Sequence, residues 1–548
     1  MTEPTPGAPP QSLLDQFRAN PIRPKLHPAE KLVLGVVATH LVFLPWALGT
    51  MHVWSQVTSF CLSLLGFGIA IQPRRNFPRG GGTPPTNDEP LDQLGALSPS
   101  TMLGTPSLPT GLSKRLTTGS TPRRSAIQHS AFSIQRSFQN LIRFPLFWLG
   151  LAFLVYVLIQ ALNPAWEYQL AGRYWWLQKI DHVRWLPTGM RAPFAISNPW
   201  RSLMIYTDAW LLVNTLWVGF TRRRSLQILF TVLGCNAFAL AVFGLVQKAL
   251  HWELIFGFWK PPASYFVSSF IYKNHAGAYF NLLLCLTIGL FFWYSYRSQR
   301  RLDKSSPGSV FAFFALAITA IIFFSGSRTA TLLMGIIVLS VAGYYFLKKR
   351  QNKADLMDNL PIWFPLGCVI LFGFVALYSL DTDTAINRLY EAAETATVEG
   401  TGIREVLSRA TLEMAKDNLA CGWGAGCYRY YFPVYQVRYP ELNRDDGRGR
   451  KLFWEHAHDD YVETLAEVGL VGVGLAALWL GCAAWLLIRA RVWENPLALF
   501  ATLGLVITAV HSTVDFNFQN PAIMLTWCAL VPAIILWTEK ERGSRFNH

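Results

Sequence analysis

Charge is scarce in this 548-residue chain: Asp, Glu, Lys and Arg together make up only 15% of it. The acidic side is the poorer, with 33 residues against 48 basic ones. An ordinary soluble domain carries about 25% charged residues, so that class is excluded. Cysteine is sparse too, eight in all with no Cys-x-x-Cys pair, which removes a metal knuckle. Cys421 and Cys427 flank "GWGAG", and in an oxidising compartment their pairing is an open alternative. No Gly-Lys-Ser/Thr follows that glycine-rich stretch, so a phosphate-cradling P-loop is not expected there. The first thirty residues are polar and Pro-rich with no apolar core, so a cleavable signal is not expected and the first apolar helix directs insertion.

What the chain has in abundance is apolar and aromatic sequence, 52% and 14%. The apolar residues come in blocks near the ~20 residues that a bilayer requires. They predict an all-α polytopic membrane protein with about twelve spans, near 32–50, 54–71, 144–162, 204–220, 226–249, 275–296, 309–325, 329–347, 361–380, 462–488, 496–514 and 521–538. The chain then divides into a tail 1–31, a helix pair 32–71, a basic Gly/Pro/Ser-rich linker 72–143, helices over 144–380, a large and partly helical loop 381–456, helices over 457–538 and a tail 539–548. The linker's composition predicts disorder.

Basic residues gather in alternate loops: the linker, "TRRRS" (221–225), "RSQRRLDK" (297–304), "LKKRQNK" (347–353), "RAR" (489–491) and "EKERGSR" (539–545). Positive charge marks the cytoplasmic side, so both termini are expected there. The surplus of cations is accordingly topogenic, and nucleic acid is not an expected partner. The outward side then carries the loops 163–203, 250–274, 381–456 and 511–521 and the "SGSR" turn at 325–328. Every polar motif with chemical potential falls on that side.

The densest of these motifs is "FWEHAHDDYVETLAEVGLVG" (453–472), at the mouth of a membrane helix. Two imidazoles two residues apart suit a metal when they lie on a strand, but here they run into helical sequence. On a helix His458 shares a face with Tyr461 and Leu465, and His456 with Asp460 and Glu463, so a single imidazole is expected to face a cavity. The bland reading makes both histidines helix caps or wet interface residues. Elsewhere, Lys273 and His275 at a span end either line a cavity or anchor the interface. His511 and Asp515, four apart, are expected to share a helical face and bond one another. Arg429 and Arg438 alternate with Tyr428, Tyr430, Tyr431, Tyr435 and Tyr439, which suits a sugar or diphosphate surface as well as a solvated rim. Trp166, Trp175, Trp176, Trp185 and Trp200 form a possible acceptor or headgroup platform, although membrane interfaces collect Trp in any case.

Taken in order, these motifs resemble the O-antigen ligase and polymerase-like family of bacterial integral-membrane glycosyltransferases. His458-Asp459 followed by Gly469 and Gly472 is similar to the family's histidine-led helix, and "GWGAGCYRYYFP" (422–433) to its glycine segment. "GIREVLSRATLEMAKDNLACGWG" (402–424) resembles the preceding helix, with Arg404 on the arginine position, and "SGSRTA" (325–330) the element carrying Arg328. "YKNHAGAY" (272–279) and "HSTVDFNFQNP" (511–521) resemble two further patches, so the likeness covers about 270–540.

The resemblance implies transfer of a glycan from polyprenyl diphosphate, undecaprenyl diphosphate above all, to a lipid-core, protein or glycan acceptor. The reaction would take place at the periplasmic face of the bacterial cytoplasmic membrane. His458 would be the general base, its ordinary pKa lying near working pH. Arg328, Arg404 and Arg409 would bind the diphosphate through planar forks. Lys273, His275, His456, Asp459, Tyr461, Arg429 and His511 are possible lining residues. No cofactor and no metal are expected, arginines standing in for a cation, with inversion at the anomeric carbon. The chain departs from the family at Asp459, where Asn, Ser or Gln is usual; a carboxylate there would raise the imidazole's basicity or repel an anion. Arg328 could instead snorkel to headgroups, and Arg404 could pair only with Glu405 or Glu413. A polymerase of the same family is the alternative activity, and a lipid-linked glycan transporter a more distant one.

Overall fold

The computed structural model describes residues 26–72, 138–172, 174–261, 266–301, 306–350, 401–443 and 452–545. The expected span 361–380 and all but the ends of the linker 72–143 lie outside them. Among the described residues the chain forms α1 (Pro28–Trp46), α2 (Val53–Ala70), α3 (Pro145–Leu162), α4 (Pro199–Gly219), α5 (Arg223–Ala249), α6 (Lys273–Arg301), α7 (Gly308–Phe324) and α8 (Arg328–Arg350). They continue with α9 (Thr401–Asp417), α10 (Tyr428–Gln436), α11 (Asp460–Ala490), α12 (Pro496–His511) and α13 (Pro521–Arg545). Eight of these are long and apolar enough to cross a membrane, and α7 and α12 are shorter apolar helices. The protein is an all-α polytopic membrane protein.

Local sequence explains many of the helix starts. Asn198-Pro199 and Asn495-Pro496 repeat one device, in which the Asn side chain accepts from the first-turn amides, Arg201 N–H at 3.0 Å and Leu497 N–H at 2.9 Å. The proline supplies a fixed φ where no amide hydrogen is needed. Burial then sorts the helices: the whole apolar window of α6 is buried and nearly all of α13, against 17% for α11. α6 is the axis of the bundle, and α11 presents Leu470, Leu478 and Ile488 outward, as a lipid-facing helix does. Within the bundle, α1, α2 and α4 are joined by a buried polar contact. Ser59 Oγ lies 2.6 Å from His40 Nε2 and donates to Asp208 Oδ2 at 2.5 Å.

The expected outward loop 163–203 carries a small sheet. Residues Pro164–Ala171, Tyr174–Lys179 and Gly189–Arg191 form β1, β2 and β3, in sheet order β2-β1-β3 with β1 antiparallel to β2 and parallel to β3. The sheet lies in a loop outside the apolar runs, where a hydropathy reading has no signal to offer.

A second feature sets the position of the loop 401–459. Helix α11 is interrupted at Gly469, whose φ of 62° and ψ of −172° belong to a region essentially restricted to glycine. The break frees backbone groups, and the "GWGAG" segment takes them: Trp423 N–H donates to Ala466 O (2.9 Å), Gly424 N–H to Glu467 O (2.8 Å) and Leu470 N–H to Leu419 O (2.8 Å). Two side chains of α3 close the crossing. Tyr156 Oη donates to Cys421 O and Val468 O at 2.7 Å each, and Gln160 Nε2 donates to Cys421 O at 3.0 Å. Broken helices persist at membrane depth where their backbone is satisfied in this way. The two segments touch so closely that a Cβ on Gly469 would sit 2.5 Å from Ala420 O, and one on Gly422 2.4 Å from Glu467 O. Gly469→Ala is therefore expected to destabilise the fold by on the order of 2–4 kcal/mol. Gly474→Ala, in the same helix with nothing within 4 Å, is expected to leave folding unchanged. Thermal unfolding of the two variants in detergent checks this, and equal melting temperatures would sink it.

Candidate active site

The connections at one end of the bundle converge. The Met51 carbonyl accepts from Arg201 Nη2 (2.9 Å), Ser269 Oγ donates to Pro45 O (2.7 Å), and Lys273 Nζ reaches Gly326 O (3.2 Å). The loop 512–520 between α12 and α13 is held there by Asp460, whose N–H donates to Ser512 O and whose carboxylate accepts from Phe518 N–H. At the opposite end the buried Glu30 accepts from Thr221, Arg222 and Ser225 at the start of α5.

His458 lies at the converging end, before α11 begins. Its φ is 54°, in the left-handed region that non-glycine residues seldom occupy. Asp459 takes the cap position of α11, accepting from Tyr461 N–H (3.0 Å) and Val462 N–H (3.2 Å). The carboxylate facing His458 is instead Asp515, whose Oδ1 lies 3.4 Å from His458 Nδ1. Asp515 is almost wholly buried, and it also accepts from Asn274 Nδ2 and from Phe516 N–H (3.0 Å). The expected His511–Asp515 pair is not what forms. Helix α12 ends at His511, Asp515 lies past it on the turn, and the ring nitrogens of His511 are buried without hydrogen-bond partners.

Both imidazoles of "HAHDD" line one cavity of about 370 Å³, with Tyr272, His275, Trp454 and Phe516. The expectation that only one could do so assumed a helix through 456–458, whereas α11 starts at Asp460. Phe516 organises the wall: the His456 ring stacks on it at 4.5 Å and 16°, while His458 and His275 meet it edge-on, each at 4.8 Å. His456 Nδ1 is bonded to Glu463 Oε1 at 2.8 Å, and Glu463 Oε2 accepts from Ala457 N–H at 2.7 Å.

The charges that surround these groups set their titration. Burial by itself would lower His456, but Glu463 outweighs it and raises the imidazole from its ordinary 6.5 to about 9. Burial would raise Asp515, but the His458 imidazole, His275 and Arg404 together hold it at about 2, below its ordinary 3.8. Because His456 is raised, its contribution to stability is complete below about pH 6.5 and is lost as pH climbs through about 9. Because Asp515 is depressed, its contribution is complete above about pH 3.8 and is lost as pH falls through about 2. Thermal stability measured against pH is expected to decline between about 6.5 and 9. Glu463→Gln should remove that alkaline limb, and a limb that persists in the variant would assign it to another group.

A cationic group adjoins the histidine. Arg404 on α9 donates from Nη1 to Val514 O at 2.9 Å, next to Asp515. Arg328 is exposed at the first turn of α8, and Arg328, Lys248 and Arg404 each lie close enough to Lys273 to act on its ammonium. Arg409 is not brought to this group: it pairs with Glu405 at 3.0 Å on an exposed face of α9. Arg429 is bonded to Glu455, and Arg438 lies over Tyr435 and 3.6 Å from Glu413. Tyr428, Tyr430, Tyr431 and Tyr435 form the packed core of the loop rather than a stacking surface. Tyr461 is exposed and donates to Ala509 O. Cys421 and Cys427 are free thiols. Tyr156 and Gln160 carry the site's architecture and escaped sequence reasoning, because their partners are distant in sequence, as is His458 from Asp515; Glu463 was placed beside His456 by the sequence and does bond it.

Residues 311–477 match the model of a protein family described as O-antigen ligase, a stretch that includes Arg328, Arg404, His456 and His458. The match supports the O-antigen ligase-like family. No curated protein matches the chain.

Proposed function

With the O-antigen ligase-like family as the premise, we propose that the protein is a glycosyltransferase of the bacterial cytoplasmic membrane. It moves a glycan from polyprenyl diphosphate, typically undecaprenyl diphosphate, to an acceptor hydroxyl at the periplasmic face, its termini remaining cytoplasmic. The observation that carries this reading is the His458–Asp515 contact beside the group of cations. Asp515 Oδ1 lies 3.4 Å from Nδ1 of His458, and Nε2 is the nitrogen offered to the acceptor. The acceptor oxygen attacks the anomeric carbon and its proton passes to Nε2. The bond from that carbon to the diphosphate oxygen breaks, its electron pair departing with the diphosphate, and the configuration inverts. Arg328 and Arg404 meet the charge on the leaving group through forked hydrogen bonds, with Lys273 as a point charge. In this reaction the cations take the place of a metal ion.

Purified protein is expected to transfer a labelled glycan from polyprenyl diphosphate with undiminished rate in the presence of EDTA. Loss of transfer on chelation, restored by a divalent cation, would defeat the arginine-only scheme. Failure to bind the donor at all would defeat the reading as a whole.

A further inference from the structure

Asp515 stands on the turn that follows α12, outside any helix, whereas α6 is the helix whose whole apolar window is buried. A carboxylate on a turn keeps one orientation only when a rigid neighbour holds it. We propose that Asn274, on the first turn of α6, is the positioning residue of the His458–Asp515 pair and sets which carboxylate oxygen faces the imidazole. This role rests on the reaction proposed above.

Asn274 is buried at 6% exposure, and its Nδ2 donates both to Asp515 Oδ2 and to Tyr272 Oη (2.7 Å). An ionised carboxylate only accepts, so the amide nitrogen of Asn274, and not its oxygen, faces Asp515. With Oδ2 held, Oδ1 is the oxygen turned to His458 Nδ1 at 3.4 Å, and it also accepts from Phe516 N–H at 3.0 Å. That 3.4 Å is longer than a formed hydrogen bond, and the terminal torsion of an aspartate is soft. A small rotation of the carboxylate therefore makes or loses the contact, and Asn274 is the side chain that restrains the rotation. Its neighbours brace the same turn. His275 Nδ1 lies 3.4 Å from Asn520 Nδ2, an amide donor, so its Nε2 carries the proton and donates to Phe516 O at 3.2 Å. Tyr272 stacks on Phe516 at 5.4 Å and 15°, and Tyr272, His275 and Phe516 line the cavity that holds His458. Asn274 is not among the residues that line this cavity, so it acts on the reaction through Asp515 and not by touching substrate.

Two full-length variants, expressed in the native bacterium lacking its own copy, test this. Asn274→Leu cannot donate at any pH, and Asn274→Asp donates only while its carboxyl group holds a proton. Three quantities are read on the purified proteins: melting temperature in detergent, copurified polyprenyl diphosphate-linked glycan by mass spectrometry, and turnover of glycan transfer against pH. Asn274→Leu is expected to lose about 10–100-fold in turnover, the range typical of a lost outer hydrogen-bond partner, with copurified donor within about twofold of wild type. Asn274→Asp sets two carboxyl groups side by side, and such a pair shares a proton that is held at low pH and released as pH rises. Its turnover relative to wild type is therefore expected to fall with rising pH toward the level of Asn274→Leu. A residue that only packs would lower both variants by a factor that does not change with pH. If Asn274→Leu melts before it can be assayed, the pH dependence of Asn274→Asp, nearly identical in shape to wild type, decides alone. A pH-independent ratio for Asn274→Asp, wild-type turnover in Asn274→Leu, or loss of copurified donor in a folded variant would each overturn the inference. A wild type that transfers no glycan would take down the proposed reaction, and this role with it.

Discussion

His458→Ala is expected to reduce the turnover of glycan transfer by on the order of 10²–10⁴-fold while leaving donor binding near its wild-type value. The histidine acts on the acceptor proton during bond formation, so its removal should appear in kcat rather than in the affinity for the diphosphate. Asp515→Asn should follow the same pattern with a smaller loss. An amide there cannot stabilise the imidazolium that forms when Nε2 takes the proton, and it can leave the ring in the wrong tautomer. Asp515, held at about 2, stays ionised throughout the neutral range, so the wild-type dyad keeps its carboxylate at any working pH. The strained backbone at His458, with φ of 54°, argues in the same direction, because strain of this kind gathers at functional sites. The decisive comparison is with His456→Ala, measured in the same membranes. Near-normal turnover in the His458 variant together with collapse in the His456 variant would move the base by two residues. It would also make the His456–Glu463 contact the catalytic pair.

The second large effect is expected from the cations. A hydrogen bond to a charged group is worth about 1.5–3 kcal/mol, so Arg328→Ala and Arg404→Ala should each weaken donor binding about 10–150-fold. The double variant should abolish donor copurification. Replacement by lysine should restore only part of the affinity, since an ammonium lacks the planar fork that grips two phosphate oxygens. Arg409→Ala should stay within about twofold, because its exposed pair with Glu405 contributes little. Donor retention after purification, compared across these variants, reads the prediction directly. Equal losses for Arg404→Ala and Arg409→Ala would show that the α9 cations act as a diffuse field, and not as a site.

How far the sequence reached can be followed residue by residue. The membrane bundle was legible because apolar blocks near twenty residues long are a local property, and Asn198-Pro199 and Asn495-Pro496 announce their helix starts within two residues. The motifs "SGSR", "GWGAG" and "HAHDD" were visible as strings, and all three lie within residues 311–477, which carry the family match. Partner choice was not legible. Helical periodicity joined His511 to Asp515, yet α12 stops at His511, four residues before Asp515, and the turn beyond it delivers Asp515 to His458, far away in the sequence. The same periodicity separated His456 from His458, and the late start of α11 put both in one cavity. Of the two arginines on α9, the one oriented to Val514 could be told from the one paired with Glu405 only after that helix had packed.

By itself, then, the sequence determined that this chain is a bundle of membrane helices with its polar chemistry crowded at one end. Burial of apolar runs and the siting of basic loops depend only on neighbouring residues. Tertiary structure decided the rest: that Gly469 breaks α11 so that "GWGAG" can dock on it, that Asp515 faces His458, and that His456 and His458 line one cavity. Those outcomes depend on which backbone groups a broken helix leaves unsatisfied and on which charges are buried together. Both are settled by groups far apart in the chain, which no local pattern encodes.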